Sequence, residues 1–489
     1  MRLAELISGI LNFSELQRDA EIAQITENSA KCKENSLFVC IKGAKADGHN
    51  YAADAYRRGC RCFVAERPFD LPNDAIVLLS PNSELTLAQL SCRFYGDPSH
   101  EMTLIGITGT KGKTTVACML ADLLIRSGIP CGYIGSNGIS YGNTHLPTAN
   151  TTPDAVTLQR SLRDMRQAGV YTAVLEVSSQ ALLRHRADGI RFKACVFTNL
   201  SPDHIGEGEH TDYEDYRRCK QRLFYEFGAD TLFVNRDDPA TSFMLLNRAK
   251  EKICSFGSSS AADYRVEDIC PYLEAARLGN RFTVVHKGEG LPFDIPLIGL
   301  GNVMNALTVA SVAKELFGIS LQNAAFLLRD ARIAGRCETL ELPNGAMAVI
   351  DYAHNGTALR QLLGTLREVK ENRLICLVGS VGERTALRRV ELGYVAAELS
   401  DLCVLTSDNP GTEDPEKIIL EMAQGFQNSP TPYLSIPDRA EAIREAARRS
   451  QRGDILVLAG KGHESYQLIG KQKLPFSERE ILLSSFAVL

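Results

Sequence analysis

One stretch constrains the fold more than any other. An apolar run over 103–108 enters the loop Gly109-Thr110-Lys111-Gly112-Lys113-Thr114-Thr115, and apolar residues then recur at Val116, Ala117, Met119, Leu120, Leu123 and Leu124. That order reads as a strand, a glycine-rich turn and a helix, the repeating unit of a parallel α/β sheet. Such a loop aims backbone N–H groups and a helix N-terminus at one anion, with Lys113 as a point charge beside it. Thr114 would put its hydroxyl on the magnesium of a nucleotide. The strict phosphate-loop pattern has glycine where this chain has Ile107, but glycines at 106, 109 and 112 preserve the tight turning. The motif implies binding of ATP or GTP through the phosphates.

At 489 residues the chain is too long for one ordinary core and is expected to form several domains. The formal charge of -5, without a long basic block or acidic tail, argues against a nucleic-acid surface. Residues 1–13 lack the basic start and long apolar core of an export signal, and no apolar run reaches the ~18 residues of a membrane span. The fourteen cysteines are scattered, mostly inside apolar runs, and no ligand-spaced pairs repeat. Free buried thiols in a reducing cytoplasm are expected, rather than disulfides or zinc.

Three α/β segments follow one another. The first, 1–98, has strand-like runs at 36–41, 62–65 and 75–79 and a helix over 52–58; it ends in the turn Gly96-Asp97-Pro98-Ser99. The second, 99–332, has buried strands expected at 103–108, 172–177, 194–199 and 231–235, making a doubly wound parallel sheet. Shorter, less regular strands are expected after the loop 258–262, then a helix over 306–317. The third, 333–489, alternates strands at 346–352, 374–379, 402–406 and 455–459 with helices at 359–370, 415–424 and 439–450. This unit is Rossmann-like but lacks Gly-x-Gly-x-x-Gly, so no dinucleotide is assigned to it.

In open α/β sheets, ligands collect outside the carboxyl ends of the strands. Glu176 stands at one such end and His204 in the polar loop after another. A carboxylate and an imidazole near a triphosphate suit magnesium.

Seven motifs, read together, resemble the Mur ligases, ATP-dependent cytoplasmic enzymes that add amino acids to peptidoglycan precursors. They are Thr108-Gly-Thr-Lys-Gly-Lys-Thr-Thr115, Asn150-Thr-Thr-Pro153, Glu176-Val-Ser-Ser179, Thr198-Asn-Leu-Ser-Pro-Asp-His204, Asp351-Tyr-Ala-His354, Asp408-Asn-Pro410 and Gly460-Lys-Gly-His-Glu464. The resemblance covers essentially the whole chain and is strongest to the branch adding the third peptide residue. The phosphate loop alone would also fit folylpolyglutamate synthetases; the full-length first segment and the Asp408 and Glu464 motifs favour the Mur branch.

The resemblance implies a UDP-binding first domain, a central ATPase-like domain and a C-terminal amino-acid-binding domain. Gly109 to Thr115 would hold ATP, with Lys113 and Thr114 on its phosphates. Thr114 and Glu176 would take one magnesium, and His204 and Lys220 a second. In this family that lysine is carbamylated by carbon dioxide, which turns a cation with pKa near 10.4 into an anion with two acceptor oxygens. The helix expected over 213–224 would present Lys220. Asn305 would meet adenine; Asp351 and His354 would meet the nucleotide; Arg336, after the hinge glycine, would neutralise phosphate charge. Lys111 departs from the asparagine usual in this branch. Ser29 and the 42–49 loop, with Lys42, Gly43 and His49, would form the uridine-diphosphate pocket, although Ala30 stands where an arginine is common. Thr151, Thr152, Ser178 and Arg186 would hold the muramoyl-peptide, the acceptor being UDP-MurNAc-L-Ala-D-Glu. Activity as a monomer is expected.

The amino acid is where the sequence departs furthest. The meso-diaminopimelate branch resembles Asp-Asn-Pro-Arg, its arginine clamping the substrate's distal carboxylate. This chain reads Asp408-Asn409-Pro410-Gly411-Thr412-Glu413-Asp414. Glycine supplies no such clamp, and the acids beside it favour a distal ammonium. Arg384 and Arg389 remain for the α-carboxylate or a second acid group, and Glu464 for an amine. L-Lysine is the expected substrate, with meso-diaminopimelate or L-ornithine as alternatives.

Overall fold

Parallel strands buried on both faces set the architecture. The computed structural model describes the chain except residues 13–18, 44–45, 204, 207–208, 247–250, 275–276, 383–385 and 487–489, and except the side chains of 386 and 387. The sequence-derived sites at His204 and Arg384 therefore lie outside the described residues. The chain divides into two compact units, Met1–Asp263 and Tyr264–Leu489.

The first unit opens with a four-stranded parallel sheet in the order Gln24–Thr26, Ser36–Val39, Cys62–Ala65, Ile76–Leu79. Successive side chains on a strand point to opposite faces. Leu37, Val39 and Val64 accordingly join the helix residues Leu3, Leu87 and Leu90 in one core, while Phe38, Phe63 and Ala65 pack on Ala52 and Ala55 in another. Both faces are covered, which is why these strands read as continuous apolar runs.

The second sheet of this unit has six parallel strands in the order Lys252–Gly257, Thr231–Asn235, Ala194–Phe197, Thr103–Thr108, Thr172–Glu176, Cys131–Gly135. An antiparallel hairpin, Gly138–Tyr141 and Thr144–Leu146, extends its edge. Cys131–Gly135 was not expected from the sequence, because two glycines interrupt its apolar run. Packing requires both. A Cβ on Gly132 would stand 2.5 Å from Met165 Sδ, and one on Gly135 2.1 Å from Glu176 Oε1.

The second unit begins with three antiparallel strands, Tyr264–Glu274, Arg277–His286 and Glu289–Ile295. They are longer than the short, irregular strands expected. A register shift between Glu267 and Cys270, with Asp268 at φ 53°, breaks the alternation by which a long strand is recognised. The helices Leu300–Phe317 and Leu321–Leu328 follow. The unit's other main sheet runs Glu338–Glu341, Met347–Asp351, Ile455–Ala459, Leu374–Ser380, Leu402–Ser407, Tyr433–Ser435, parallel except for its first strand. All fourteen cysteines are free thiols; Cys270 is exposed, Cys118 half-buried and the others buried. Among the described residues no helix is long and apolar enough to cross a membrane.

Candidate active site

The strand Thr103–Thr108 delivers the chain into the phosphate loop, and the helix Lys113–Arg126 leads away from it. Gly109 has φ 148° and Gly112 φ 85°, conformations that suit glycine and rarely an L side chain. Gly109 is also sterically required, since a Cβ there would lie 2.0 Å from Thr198 Oγ1. The neighbouring strand end braces the loop. Asn199 accepts from Lys111 N–H at 3.0 Å and donates to Lys111 O at 3.0 Å, and Thr198 Oγ1 donates to the same carbonyl at 2.6 Å. Lys113 Nζ folds back onto Gly109 O at 2.8 Å and Thr110 O at 3.1 Å. Thr110 Oγ1 lies within 3.1 Å of both Ser201 O and Tyr216 OH, and Thr115 is buried on the helix.

Glu176, fully buried at the end of its strand, is the node of the site. Its Oε2 accepts the Thr114 hydroxyl at 2.8 Å, while Oε1 accepts Tyr133 OH at 2.6 Å and Ser136 N–H at 3.0 Å. Ser136 Oγ lies 3.0 Å from Thr151 Oγ1, and Thr152 Oγ1 donates to the Glu176 carbonyl at 2.8 Å. Ser178 N–H donates to Thr152 Oγ1 at 3.0 Å, and Arg186 donates to Thr152 O at 3.1 Å. Thr151, Thr152, Ser178 and Arg186, named together from the resemblance, thus join one network around Glu176, through its backbone carbonyl and through Ser136. Magnesium takes hard oxygen donors, often one or two carboxylates completed by phosphate and water oxygens. The adjacent Thr114 hydroxyl and Glu176 carboxylate fit that description. Phosphate and water oxygens would complete the shell.

Lys220 stands on the helix Tyr213–Tyr225, whose N-cap Asp212 accepts from Asp215 N–H at 2.8 Å. The helix buries Tyr216, Cys219, Lys220 and Leu223, an i, i+3, i+4, i+7 stripe that includes a lysine. Lys220 Nζ donates to Gly109 O at 2.8 Å and lies 4.6 Å from the Tyr216 ring centroid. Burial, reinforced by nearby Lys113, holds its pKa well below the usual lysine value.

A cavity of about 690 Å³ opens between the four-stranded sheet and the Thr151–Arg186 network. Ser29, Gly43, Asn150, Arg184 and Arg186 are among its lining residues. Lys42 is exposed, and its carbonyl accepts from Arg184 at 3.4 Å. His49 differs from its expected role in the pocket. It is buried, its Nε2 accepts from Glu66 N–H at 3.0 Å, and its Nδ1 therefore donates to Asp47 at 2.7 Å. Both ring nitrogens brace the loop and neither is left for a ligand.

In the second unit, Asn305 is buried on Leu300–Phe317 and donates to Asn302 at 3.2 Å. Asp351 accepts Cys337 N–H at 2.8 Å; burial raises its pKa, opposed by Arg336. The Arg336 guanidinium lies 4.7 Å from the Tyr352 ring centroid, and its buried Nε has no hydrogen-bond partner. His354 Nδ1 donates to Tyr352 O at 2.9 Å; burial, then Arg388, lowers its pKa to about 4. His463 is also lowered to about 4, by burial and then Arg336.

The strand ends of the parallel sheet gather a polar cluster. Lys461, fully buried, donates to Asp408 at 3.3 Å, Asn409 at 3.0 Å and Glu464 at 3.0 Å, and Asn409 donates to Glu464 at 2.8 Å. The amine expected at Glu464 is thus already provided by the protein. Arg389 also departs from its expected role. Its terminal nitrogens are held by Glu421 at 2.9 Å and Glu413 at 3.0 Å, and the residue is 3% exposed, so its fork is not presented to a substrate acid.

Four residues with structural claims on the site were missed in the sequence. Tyr133 and Ser136 sit in a glycine-broken run that carried no signal. Asn199 and Lys461 lay inside motifs already quoted, and only their contacts distinguish them from their neighbours.

A phosphate loop whose threonine meets a buried strand-end carboxylate fits the binding of a magnesium nucleotide, and the chain's relatives give its class, an ATP-dependent ligase. Three family models match the chain: the Mur ligase middle domain over 107–313, the Mur ligase glutamate ligase domain over 335–462, and the Mur ligase family catalytic domain over 21–91. The UDP-N-acetylmuramoyl-L-alanyl-D-glutamate--2,6-diaminopimelate ligase of Caldanaerobacter subterraneus subsp. tengcongensis is 35% identical over 482 residues, 99% of this chain and 98% of that one. The ligase of the same name from Chlorobaculum tepidum is 38% identical over 477 residues, covering 96% and 93%. A solved structure of a ligase of that name superposes with a TM-score of 0.68 at 30% identity, covering 96% of this chain and 95% of that one. The chain belongs to the Mur ligase family.

Proposed function

We propose that this ligase adds the third amino acid to UDP-MurNAc-L-Ala-D-Glu, with L-lysine as the amino acid. One observation carries the reaction type. Glu176 binds the phosphate-loop hydroxyl of Thr114 through its side chain and Thr152 through its carbonyl, so nucleotide and acceptor bound at those two residues would abut at Glu176. A carboxylate held by the Thr151, Thr152, Ser178 and Arg186 network would face a γ-phosphate held by the loop.

In this reading the terminal carboxylate oxygen of D-Glu forms a bond to the γ-phosphorus as the bond to ADP breaks, giving an acyl phosphate. Lys113 and the helix N-terminus stabilise the charge that develops. The amino acid's α-amine then attacks the acyl carbon, phosphate departs, the amine releases its proton and an amide remains. Magnesium at Thr114 and Glu176 would supply charge neutralisation on the phosphates. A second ion is assigned to His204 and to a carbamate on Lys220. Burial favours the free amine at Lys220, the form that adds carbon dioxide. Asn305, Arg336, Asp351 and His354 are assigned to the nucleotide, and Ser29, Lys42 and Gly43 to the uridine diphosphate. The proposed division of labour is 1–98 for the acceptor nucleotide, 99–332 for ATP and 333–489 for the amino acid, in a cytoplasmic monomer.

The choice of lysine is supported by what stands near Asp408. Gly411 offers no side chain, and Arg389 is neutralised by two glutamates. The names of the relatives favour 2,6-diaminopimelate, which is the second reading. The deciding experiment incubates the protein with ATP, magnesium, UDP-MurNAc-L-Ala-D-Glu and, in parallel, L-lysine, meso-diaminopimelate or L-ornithine, following product mass and phosphate release. A dominant lysine adduct is expected. A dominant diaminopimelate adduct would move the assignment to the second reading, and no adduct with any of the three would remove the third-residue assignment.

A further inference from the structure

Tyr133 touches the site from a strand that the motifs do not mark. It lies on Cys131–Gly135, in register with Val174 of the strand that ends in Glu176. Its ring is buried, and its hydroxyl has two partners with fixed roles. Asn137 N–H can only donate, and does so to the phenol oxygen at 3.1 Å. The phenolic proton is therefore free to go to Glu176 Oε1, 2.6 Å away. Ser136 N–H reaches the same oxygen at 3.0 Å. Between them Gly135 leaves room for the contact, because a Cβ would come within 2.4 Å of Tyr133 OH.

The two carboxylate oxygens of Glu176 are thereby made unequal. Oε1 takes Tyr133 OH and Ser136 N–H, while Oε2 meets the phosphate loop at Thr114, 2.8 Å away, with Ser136 Oγ farther off at 3.4 Å. A carboxylate is free to rotate about its last torsion, and donors on one oxygen stop that rotation. We infer that Tyr133 is a positioning residue for the magnesium–nucleotide site, fixing Glu176 so that one oxygen always faces Thr114. The inference rests on the proposed role of Glu176 in holding magnesium–ATP.

Tyr133→Phe removes the hydroxyl and keeps the ring. Binding of ATP is measured by calorimetry over a magnesium titration in the wild type, Tyr133→Phe, Glu176→Ala and the double variant, alongside the KM values of acceptor and amino acid. Tyr133→Phe is expected to weaken magnesium-dependent ATP binding about tenfold, the scale of one hydrogen bond to a charged group. The other two KM values should stay within about twofold, and the substitution should add nothing in the Glu176→Ala background, as expected for residues acting through one another. Wild-type binding by Tyr133→Phe, or an equal loss with and without Glu176, would overturn the inference. If Glu176→Ala itself leaves the magnesium response intact, the site reading fails and takes this one with it. If the Phe variant is too unstable to purify, fluorotyrosine at 133 in the otherwise native chain gives a second readout. Its ¹⁹F resonance should shift with magnesium–ADP and not with ADP and EDTA; an unchanged resonance would equally refute the role.

Discussion

The side-chain nitrogens of Lys113 and Lys220 share one acceptor, the carbonyl oxygen of Gly109, each at 2.8 Å. Two cations on one buried carbonyl repel, and the deeper one yields. Lys220 is 1% exposed, and burial together with Lys113 favours its neutral form. Beside the phosphate loop, burial and then Lys113 thus shift Lys220 toward the free amine.

Lys220→Arg keeps a long basic side chain but cannot form a carbamate. The variant is expected to bind ATP and to lose at least about 10²-fold in kcat, on the scale of one transition-state contact. Wild-type enzyme prepared in buffer free of carbon dioxide should lose activity and regain it on adding bicarbonate, read as phosphate release. Full activity of the variant would remove the carbamate from the proposal.

Gly109→Ala should fail for steric rather than electrostatic reasons. Its Cβ would lie 2.0 Å from Thr198 Oγ1 and 3.0 Å from Asn199 O, at a φ of 148°. ATP affinity is expected to drop at least tenfold, with about 2 kcal/mol of stability lost. Lys113→Met is expected instead to leave stability within about 0.5 kcal/mol and to lower kcat about 10²–10³-fold. Urea unfolding and steady-state kinetics separate the two.

Gly411→Arg restores the residue of the diaminopimelate-type motif. At φ 60° a side chain costs about 1–2 kcal/mol, so some loss of melting temperature is expected. The ratio of kcat/KM for meso-diaminopimelate over L-lysine, measured within one protein, is independent of that loss. It should rise about tenfold or more if a carboxylate clamp is what the wild type lacks. An unchanged ratio would place specificity elsewhere.

His354 makes stability depend on pH. Its folded pKa of about 4 lies below the usual 6.5, so between those values the unfolded chain binds the proton and the native one does not. Stability from this group is complete above pH 6.5 and is lost as pH falls toward 4. From pH 7.5 to 5.0 the loss should be about 2 kcal/mol. His354→Gln should remove that part of the slope in urea titrations at the two pH values.

The nucleotide core was legible because its physics is local. The apolar runs at 103–108 and 231–235 became strands with those bounds, and Lys220 occupied a helix stripe otherwise apolar or aromatic. Glu176 could be placed at a strand end, but its partners could not. Tyr133 lies 43 residues away in sequence, on a strand whose glycines erase the pattern. Arg389 and Glu464 show the opposite failure. Their charges suggested substrate groups, yet Glu413, Glu421 and Lys461 already answer them, and sequence spacing does not show which charges meet.

Gly335 and Gly462 press backbone to backbone. A Cβ on Gly335 would stand 1.9 Å from His463 N, and one on Gly462 2.6 Å from Gly335 O. Two loops meshed this closely behave like teeth of one gear. Arg336 follows the first tooth, and Lys461 and Glu464 flank the second. A rotation at either turn must be handed on to the other, so Arg336 and the Lys461–Glu464 pair are geared to move in step.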